Sequence, residues 1–131
     1  MAVVVVVANA PLTWTEPLVR VVRRADLVVA ADGGANHLAR IGVRPAAVVG
    51  DLDSIRPEGR EWLGEGCLVP RPDQEHTDLF KTLAYVIDER RAARVTVLGA
   101  AGGRLDHALE HLGVLARWAG RAALELRDEA I

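Results

Sequence analysis

Acidic and glycine residues recur at the points where apolar runs of the sequence end. The residues that could do chemistry there are Asp32, Gly33, Gly34, Asn36, Asp51, Asp53, Asp78, Lys81, Gly102, Gly103, Arg104, Asp106 and His107. If the apolar runs are strands of a parallel sheet, these residues lie at the carboxyl edge, where such sheets bind ligands. We therefore expect carboxylates from separate segments to converge, namely Asp32, Asp51, Asp53, Asp78 and Asp106.

Converging carboxylates indicate a bound cation. Unbalanced carboxylates repel one another and raise each other's pKa values, and a hard divalent ion such as Mg²⁺ beside phosphates relieves that repulsion. Any single aspartate after a strand could instead cap a helix or shape a turn. The alternating pair Asp51 and Asp53, directly after a buried run, is harder to explain in that way.

The two glycine pairs, Gly33-Gly34 and Gly102-Gly103, permit two interpretations. They could form tight turns, or they could open helices whose backbone N–H groups receive a phosphate. The sequence contains neither G-x-x-x-x-G-K-[ST] nor G-x-G-x-x-G, which argues against a P-loop protein and a dinucleotide oxidoreductase.

Two basic residues stand beside these acids. Asp78 and Lys81 are three apart at a predicted helix start, hence on one face, either as a surface ion pair or as a catalytic acid beside a phosphate-binding ammonium. We favour the second interpretation because this helix begins at the acidic edge. Arg104 could be a solvated arginine, but its place between Gly103 and Asp106 favours a contact with phosphate or nucleotide.

A competing motif is H-x-x-E-H, formed by His107, Glu110 and His111. This pattern occurs in inverted zinc proteases, and two histidines four apart on a helix can share a metal. The zinc interpretation leaves the other strand-end motifs without a role, so an exposed helix histidine is the better account of His111.

The elements that would position these residues alternate as βαβ units, which predicts an α/β, Rossmann-like three-layer sandwich with a mostly parallel sheet in one domain, residues 1–131. Predicted strands cover residues 3–8, 27–31, 46–49, 67–69, 95–98 and 123–126. Helices are expected after Thr15, through Leu38, within 57–66, from Thr77 to about Arg90, and over 105–119. The last helix should bury Leu105, Ala108, Leu109, Leu112, Leu115, Ala116 and Ala119.

Composition narrows the class of protein. The formal charge of −2 weighs against a nucleic-acid surface. The apolar start lacks a basic region and is too short to span a membrane. Cys67 is the lone cysteine, so no internal disulfide is expected, and we expect a cytoplasmic protein.

Taken in series, four motifs resemble the thiamine pyrophosphokinase family: ADGGANHL at 31–38, GDLDSI at 50–55, D-x-x-x-TDLFKTL at 73–83 and GAAGGRLDHAL at 99–109. Each motif alone is weak, but their order and spacing match from Asn9 to about Glu129. The resemblance implies transfer of pyrophosphate from ATP to the hydroxyethyl oxygen of thiamine, giving AMP and thiamine diphosphate.

The resemblance also implies residue roles. Asp51, Asp53 and Asp78 would bind Mg²⁺, residues 32–36 and 102–107 would hold ATP, and Lys81 would lie near the transferring phosphates. The family usually has Asn at the position of His111. Its members carry a second, β-rich domain that contributes to the thiamine pocket and the dimer, and we expect that domain to be absent from this chain. A homodimer stays open.

Other functions remain open because these motifs describe ATP and metal rather than the acceptor. The chain could be an ATP- and Mg²⁺-binding module without turnover. It could also be a pyrophosphokinase for another alcohol.

Overall fold

A computed structural model describes residues 2–128 of the chain. Its strands are β1 (Val4–Val7), β2 (Leu27–Ala31), β3 (Ala47–Gly50), β4 (Leu68–Pro70), β5 (Arg94–Leu98) and β6 (Ala123–Leu126). Its α-helices are α1 (Glu16–Arg23), α2 (Gly34–Ala39), α3 (Pro57–Leu63), α4 (Asp78–Ala84) and α5 (Leu105–Trp118). A 3₁₀ turn, Glu65–Cys67, precedes β4, and a π-helical turn, Tyr85–Glu89, continues α4.

The six strands form one sheet in the order β4-β3-β2-β1-β5-β6, and every pairing between them is parallel. From β1 the chain first builds outward to β4 and then returns to place β5 on the other side of β1. This reversal puts the topological switch point between β1 and β5, where doubly wound sheets open a crevice for ligands at the strand carboxyl ends.

The valine-rich strands are buried on both faces because helices cover both sides of the sheet. In β1, Val4 and Val6 face a core shared with α4 and α5, whereas Val5 and Val7 face a core shared with α1 and α2. This alternation follows from the two-residue period of a strand. The three-layer α/β sandwich predicted from the sequence is confirmed.

Local signals set where two of the helices begin. Thr77 caps α4, its Oγ1 accepting a hydrogen bond from the Phe80 amide at 3.1 Å. Thr15 stands at the same position before α1, but its buried hydroxyl has no hydrogen-bond partner. In α1, Pro17 occupies the first turn, where a missing amide N–H costs nothing.

The buried face predicted for α5 was right for Leu115 and wrong for its other leucines. Leu105, Leu109 and Leu112 are exposed by 73%, 59% and 48%, and the buried residues of α5 are Val114, Leu115 and Trp118. The helix carries two apolar stripes at helical spacing, and only the one in its carboxyl-terminal half reaches the sheet. The amino-terminal half extends beside the carboxyl edge of the sheet with its leucines uncovered.

Among residues 2–128, no helix is both long enough and apolar enough to cross a membrane.

Candidate active site

Three carboxylates meet at the carboxyl edge of the sheet. Asp32 follows β2, Asp51 follows β3, and Asp78 is the first residue of α4. Each offers an oxygen atom lying within 4.8 Å of the other two, and this trio is the one such group of potential metal ligands among the described residues. The predicted convergence therefore holds for three of the five aspartates, with Asp53 and Asp106 outside the trio.

Asp32 is the most buried member, with 1% of its surface exposed. Its Oδ1 accepts a hydrogen bond from the Ser54 amide at 3.2 Å. Burial, with the hydrogen bond to Asp51 and the charge of Asp78 adding to it, raises the pKa of Asp32 to about 7. At neutral pH, Asp32 is therefore partly protonated and shares its proton with Asp51.

Asp51 and Asp78 shift in opposite directions. The hydrogen bond from Asp32, followed by that from the Asp53 amide at 3.1 Å, lowers the pKa of Asp51. Burial, followed by the charge of Asp51, raises the pKa of Asp78. The trio thus carries a proton in place of a cation, which is the behaviour of carboxylates brought together without sufficient positive charge.

Lys81 supplies the nearby positive charge. It is 7% exposed, and its ammonium donates to the Arg71 carbonyl at 2.8 Å and lies 3.9 Å from Asp78 Oδ1. This burial excludes the surface ion pair that the sequence left open. Lys81 faces the acidic trio from α4, as the alternative interpretation required.

Gly50 makes room for the trio, a role that the sequence reading missed. A side chain there would place its Cβ 2.7 Å from Asp78 Oδ1 and 3.2 Å from Asp32 Cβ, and the Gly50 φ of 141° is itself unfavourable for other residues. Its position directly before Asp51 was visible in the sequence. The carboxylate it faces, Asp78, is remote along the chain and could not be read from spacing.

Asn36 secures the loop that carries Asp51 and Asp53. Its side-chain amide donates to the Ser54 carbonyl at 2.8 Å, and its oxygen accepts from the Arg56 amide at 3.5 Å. Predicted as an ATP ligand, Asn36 thus uses both ends of its side chain within the protein. The Asp53 side chain is exposed on the same loop.

The glycine pairs provide close backbone contact. A Cβ at Gly34 would lie 2.0 Å from the Val7 carbonyl oxygen, and one at Gly102 would lie 2.4 Å from that of Pro11. At Gly33 a Cβ would meet the Asn9 side chain, and at Gly103 the Pro11 ring. Both glycine turns therefore enclose the segment after β1, a packing role that accounts for them with or without a phosphate.

A cleft of about 280 Å³ opens beside the trio at the switch point. Asp78, Arg104 and His107 all line this cleft, together with the segment after β1. Arg104 is exposed and pairs through two hydrogen bonds, of 3.1 and 2.8 Å, with the exposed Asp106. Asp106, in the first turn of α5, is therefore held by Arg104, which explains why it does not join the trio.

The H-x-x-E-H residues also line this cleft. His111 Nδ1 lies 2.8 Å from the Ala100 carbonyl oxygen, and because a carbonyl can only accept, Nδ1 carries the proton. Asp128 holds the same turn, its carboxylate accepting from the amides of Gly99 at 2.9 Å and Ala101 at 3.1 Å. The sequence gave no signal for Asp128, which lies far along the chain from the turn.

Together the fold and the site define a doubly wound α/β protein with three carboxylates at its ligand edge that could hold a cation. Residues 18–126 match the model of the thiamin pyrophosphokinase catalytic domain. The chain belongs to the thiamine pyrophosphokinase family, and it contains that family's catalytic domain.

Individual members of the family resemble the chain in sequence and in structure. Thiamine pyrophosphokinase 1 of Oryza sativa subsp. japonica is 34% identical over 143 residues, which covers 92% of this chain and 51% of the relative. The crystal structure of a thiamin pyrophosphokinase family protein from Enterococcus faecalis is 28% identical with a TM-score of 0.74, covering 95% of this chain and 61% of that one. The Bacillus subtilis thiamine pyrophosphokinase structure, at 23% identity and a TM-score of 0.80, supports the fold. The chain spans about half the length of the curated relatives it matches.

Proposed function

We propose that this domain transfers a pyrophosphoryl group from Mg-ATP to the hydroxyethyl oxygen of thiamine, giving thiamine diphosphate and AMP. The single observation that carries the proposal is the acidic trio beside the cleft at the switch point. Family membership, together with the names of the relatives, supports thiamine as the acceptor. The cytoplasmic location and the homodimer considered from the sequence stay predictions.

The trio fits a magnesium ion. Its ligands are carboxylate oxygens, which Mg²⁺ prefers, and they lie close enough to share one ion. Burial, then the hydrogen bond to Asp51 and the charge of Asp78, raise the pKa of Asp32, and a bound cation would favour its ionised form. Asp51 and Asp78, with Asp32, would hold the ion, and Asp53 belongs to the proposed ligand set on the D-x-D pattern alone. When bound, Mg²⁺ neutralises phosphate charge and orients the phosphates for transfer.

The remaining residues would position ATP. Arg104 and His107 line the cleft together with Asp78 and can contact phosphate oxygens, Arg104 by exchanging Asp106 for a phosphate. Residues 32–36 and 102–107 form the two turns that border the segment after β1. Lys81 lies beside Asp78, where its charge opposes the rise in the pKa of that carboxyl, and it would add positive charge near the transferring phosphates.

The transfer step needs little covalent participation by the protein. The thiamine hydroxyl oxygen attacks the β-phosphorus of ATP, the bond from that phosphorus to the α-phosphate oxygen breaks, and AMP leaves. The hydroxyl proton passes to a carboxylate of the site, from which it is released to water. Such transfers depend mainly on positioning and charge neutralisation.

The positions of the aromatic residues favour a second function, which is ATP and Mg²⁺ binding without turnover. Phe80 is stacked on His76 with ring centroids 4.3 Å apart, and Arg117 covers it with its guanidinium carbon 4.9 Å from the ring centroid. These side chains line a separate cavity of about 330 Å³, and none of them lines the cleft beside the trio. The residues around the trio account for binding of ATP and metal but not for the choice of acceptor. Another alcohol therefore stays open as the acceptor.

The test is AMP release from ATP, followed with Mg²⁺ in the presence and absence of thiamine. Thiamine-dependent AMP release that Asp51→Asn reduces by at least about 100-fold supports the proposal, since one metal ligand supplies several kcal/mol of charge stabilisation. Mg-ATP binding without AMP release supports the binding module. Release stimulated by another alcohol but not by thiamine identifies a different acceptor.

A further inference from the structure

The segment after β1, residues 9–13, separates two cavities, and we call it the wall segment. Its first residues line the acidic cleft, and Pro11, Leu12 and Thr13 line a second cavity of about 500 Å³ that also contacts His37 and Arg40. The position of the wall segment therefore sets the shape of the cleft. The contacts that hold the wall segment therefore bear on the function of the site.

On the α2 side, the wall segment is held by His37. His37 Nε2 lies 2.8 Å from the Ala10 carbonyl oxygen, and Nδ1 lies 2.6 Å from Arg40 Nη2. A carbonyl only accepts and a guanidinium only donates, so Nε2 carries a proton and Nδ1 carries none. The contacts define a neutral imidazole of one tautomer, with both ring nitrogens engaged.

Two further bonds join the same partners. Arg40 Nη2 also donates to the Leu12 carbonyl at 3.1 Å, so the arginine that fixes the His37 tautomer holds the wall segment directly. The Trp14 indole N–H donates to the His37 carbonyl at 2.8 Å. Ala10 and Leu12 of the segment are thus bonded to the side chains of His37 and Arg40, and Trp14, directly beyond the segment, is bonded to the His37 carbonyl.

The other side of the wall segment rests on the glycine turn after β5. The Ala10 amide donates to the Gly99 carbonyl at 2.8 Å, and the Pro11 carbonyl packs against Gly102. These contacts involve backbone and contain no group that titrates. The titratable side chains on this side, Asp128 and His111, bond the backbone of the turn rather than the wall segment.

The charged groups around His37 are Arg40, on its own helix, and Asp128, which holds the glycine turn. Residues 9–13 and 99–103 contribute no titratable side chain. Burial lowers the pKa of His37 from its ordinary value, the Ala10 carbonyl opposes that shift, and the Arg40 charge adds to it. A proton added at Nδ1 would point at the Arg40 N–H group, so the bond between them would be lost.

We propose that neutral His37 is a positioning residue that, with Arg40, holds the wall segment against the acidic cleft, and that protonation of His37 loosens the segment at Leu12. A proton at Nδ1 costs the ring its bond to Arg40 and leaves Arg40 without its fixed position beside Leu12, while Nε2–H still donates to the Ala10 carbonyl. Any effect of this change on ATP binding depends on the proposed function. The change in the wall segment itself does not depend on it.

Amide hydrogen exchange of the protein without ligands tests the proposal directly. We compare wild type, His37→Gln and His37→Leu at pH 7.5 and at the lower pH where ¹⁵N ring shifts of wild type show His37 protonated. A peptide over residues 8–14 is followed, with a β2 peptide as internal reference and a correction for intrinsic exchange. Glutamine keeps one N–H donor and one acceptor but does not titrate, whereas leucine removes both.

Wild type should lose about fivefold protection in the wall segment at the lower pH, where His37 is protonated, the equivalent of one hydrogen bond. His37→Gln should keep its protection at both values, and His37→Leu should lack it at both. Since Asp32 also titrates in this range and is present in every variant, the comparison with His37→Gln removes its contribution. Arg23→Gln is the matched control, because Arg23 donates to the Ile41 carbonyl beyond the other end of α2, and it should behave as wild type.

Equal protection in wild type and His37→Leu, or the same pH dependence in wild type and His37→Gln, overturns the proposal. So does a ¹⁵N spectrum that places the His37 proton on Nδ1 at pH 7.5. Mg-ATP titrations then separate the two inferences. If wild type binds no Mg-ATP, the proposed function fails and exchange still decides the role of His37. If it binds and the variants match its affinity at both pH values, the wall segment does not govern the cleft.

Discussion

Asp26 and Asp32 lie at opposite ends of β2 and show how differently the two edges of the sheet use the same residue type. Asp26, at the amino end, is an exposed carboxylate that accepts a hydrogen bond from the Val3 amide at 2.7 Å. Asp32, at the carboxyl end, is buried, has a φ of 41° and faces two further carboxylates. The first contributes a structural hydrogen bond, and the second retains a proton near neutral pH.

This contrast extends across the sheet. Toward the amino edge, Val114, Leu115 and Trp118 of α5 complete the core. Toward the carboxyl edge, Leu105 and Leu109 of the same helix are exposed. At the carboxyl edge, leucines stay exposed and Asp32 adopts an unfavourable positive φ where the charged groups come together. Functional sites commonly lose some stability in this way.

The largest effect should come from Gly50→Ala. The added Cβ would collide with Asp78 and Asp32, so the trio could not close, and we expect at least about a 100-fold loss of Mg-ATP affinity in addition to backbone strain of about 1–3 kcal/mol. Gly42→Ala is the control, since Gly42 also has a positive φ, of 68°, but has open space around it. Calorimetry and urea unfolding of both variants separate strain from collision. Equal binding by the two would show that room at Gly50 does not matter to the site.

The two stripes of α5 provide the next comparison. Leu115→Ala should lower the free energy of unfolding by about 2–3 kcal/mol, because it leaves a cavity in the core. Leu109→Ala should change it by no more than about 0.5 kcal/mol, since the side chain is exposed. Urea unfolding measures both. A large loss at Leu109 would mean that the exposed stripe is covered in solution.

The smallest effect concerns pH and Asp32. Because burial raises the pKa of Asp32 from 3.8 to about 7, the folded protein keeps this proton longer than the unfolded chain does. Its contribution therefore lowers the free energy of unfolding as pH rises from about 4 to 7, and the loss is complete above that range.

Asp32→Asn should remove this pH dependence and raise the free energy of unfolding of the metal-free protein at pH 8, by on the order of 1 kcal/mol. Asp26→Asn, at the other end of β2, should leave the slope between pH 4 and 7 as it is. Thermal unfolding across this pH range with a chelator present is the measurement. An unchanged slope in Asp32→Asn would show that Asp32 is ionised in the folded protein.

Most of the fold followed from the sequence because buried parallel strands are continuous apolar runs. The predicted bounds of β2 and β6 match the structure, and β1, β3, β4 and β5 differ from it by a residue or so at their ends. The face of α5 could not be predicted in the same way. Leu105, Leu109 and Leu112 have the spacing of a core stripe, and periodicity does not say which of two apolar stripes meets the sheet.

The sequence predicted those parts of the site whose positions follow from the order of the strands in the sheet. Asp32 and Asp51 directly follow neighbouring parallel strands, so their meeting is a consequence of the sheet. Asp106 stands at a strand end too, but a local contact with Arg104 decides its position. The packing of Pro11 against Gly102 and the bond of His37 to Ala10 join segments remote in sequence, and no local pattern encodes such contacts.

The central claim is that the trio of Asp32, Asp51 and Asp78 binds the magnesium ion that accompanies ATP. Titration of Mg-ATP into wild type, Asp51→Asn and the control Asp26→Asn by calorimetry at pH 7.5 tests it most directly. We expect Asp51→Asn to weaken binding by at least about tenfold, or about 1.4 kcal/mol, and Asp26→Asn to bind as wild type does. Wild-type affinity in Asp51→Asn, in a protein that is folded and binds Mg-ATP, would contradict the account.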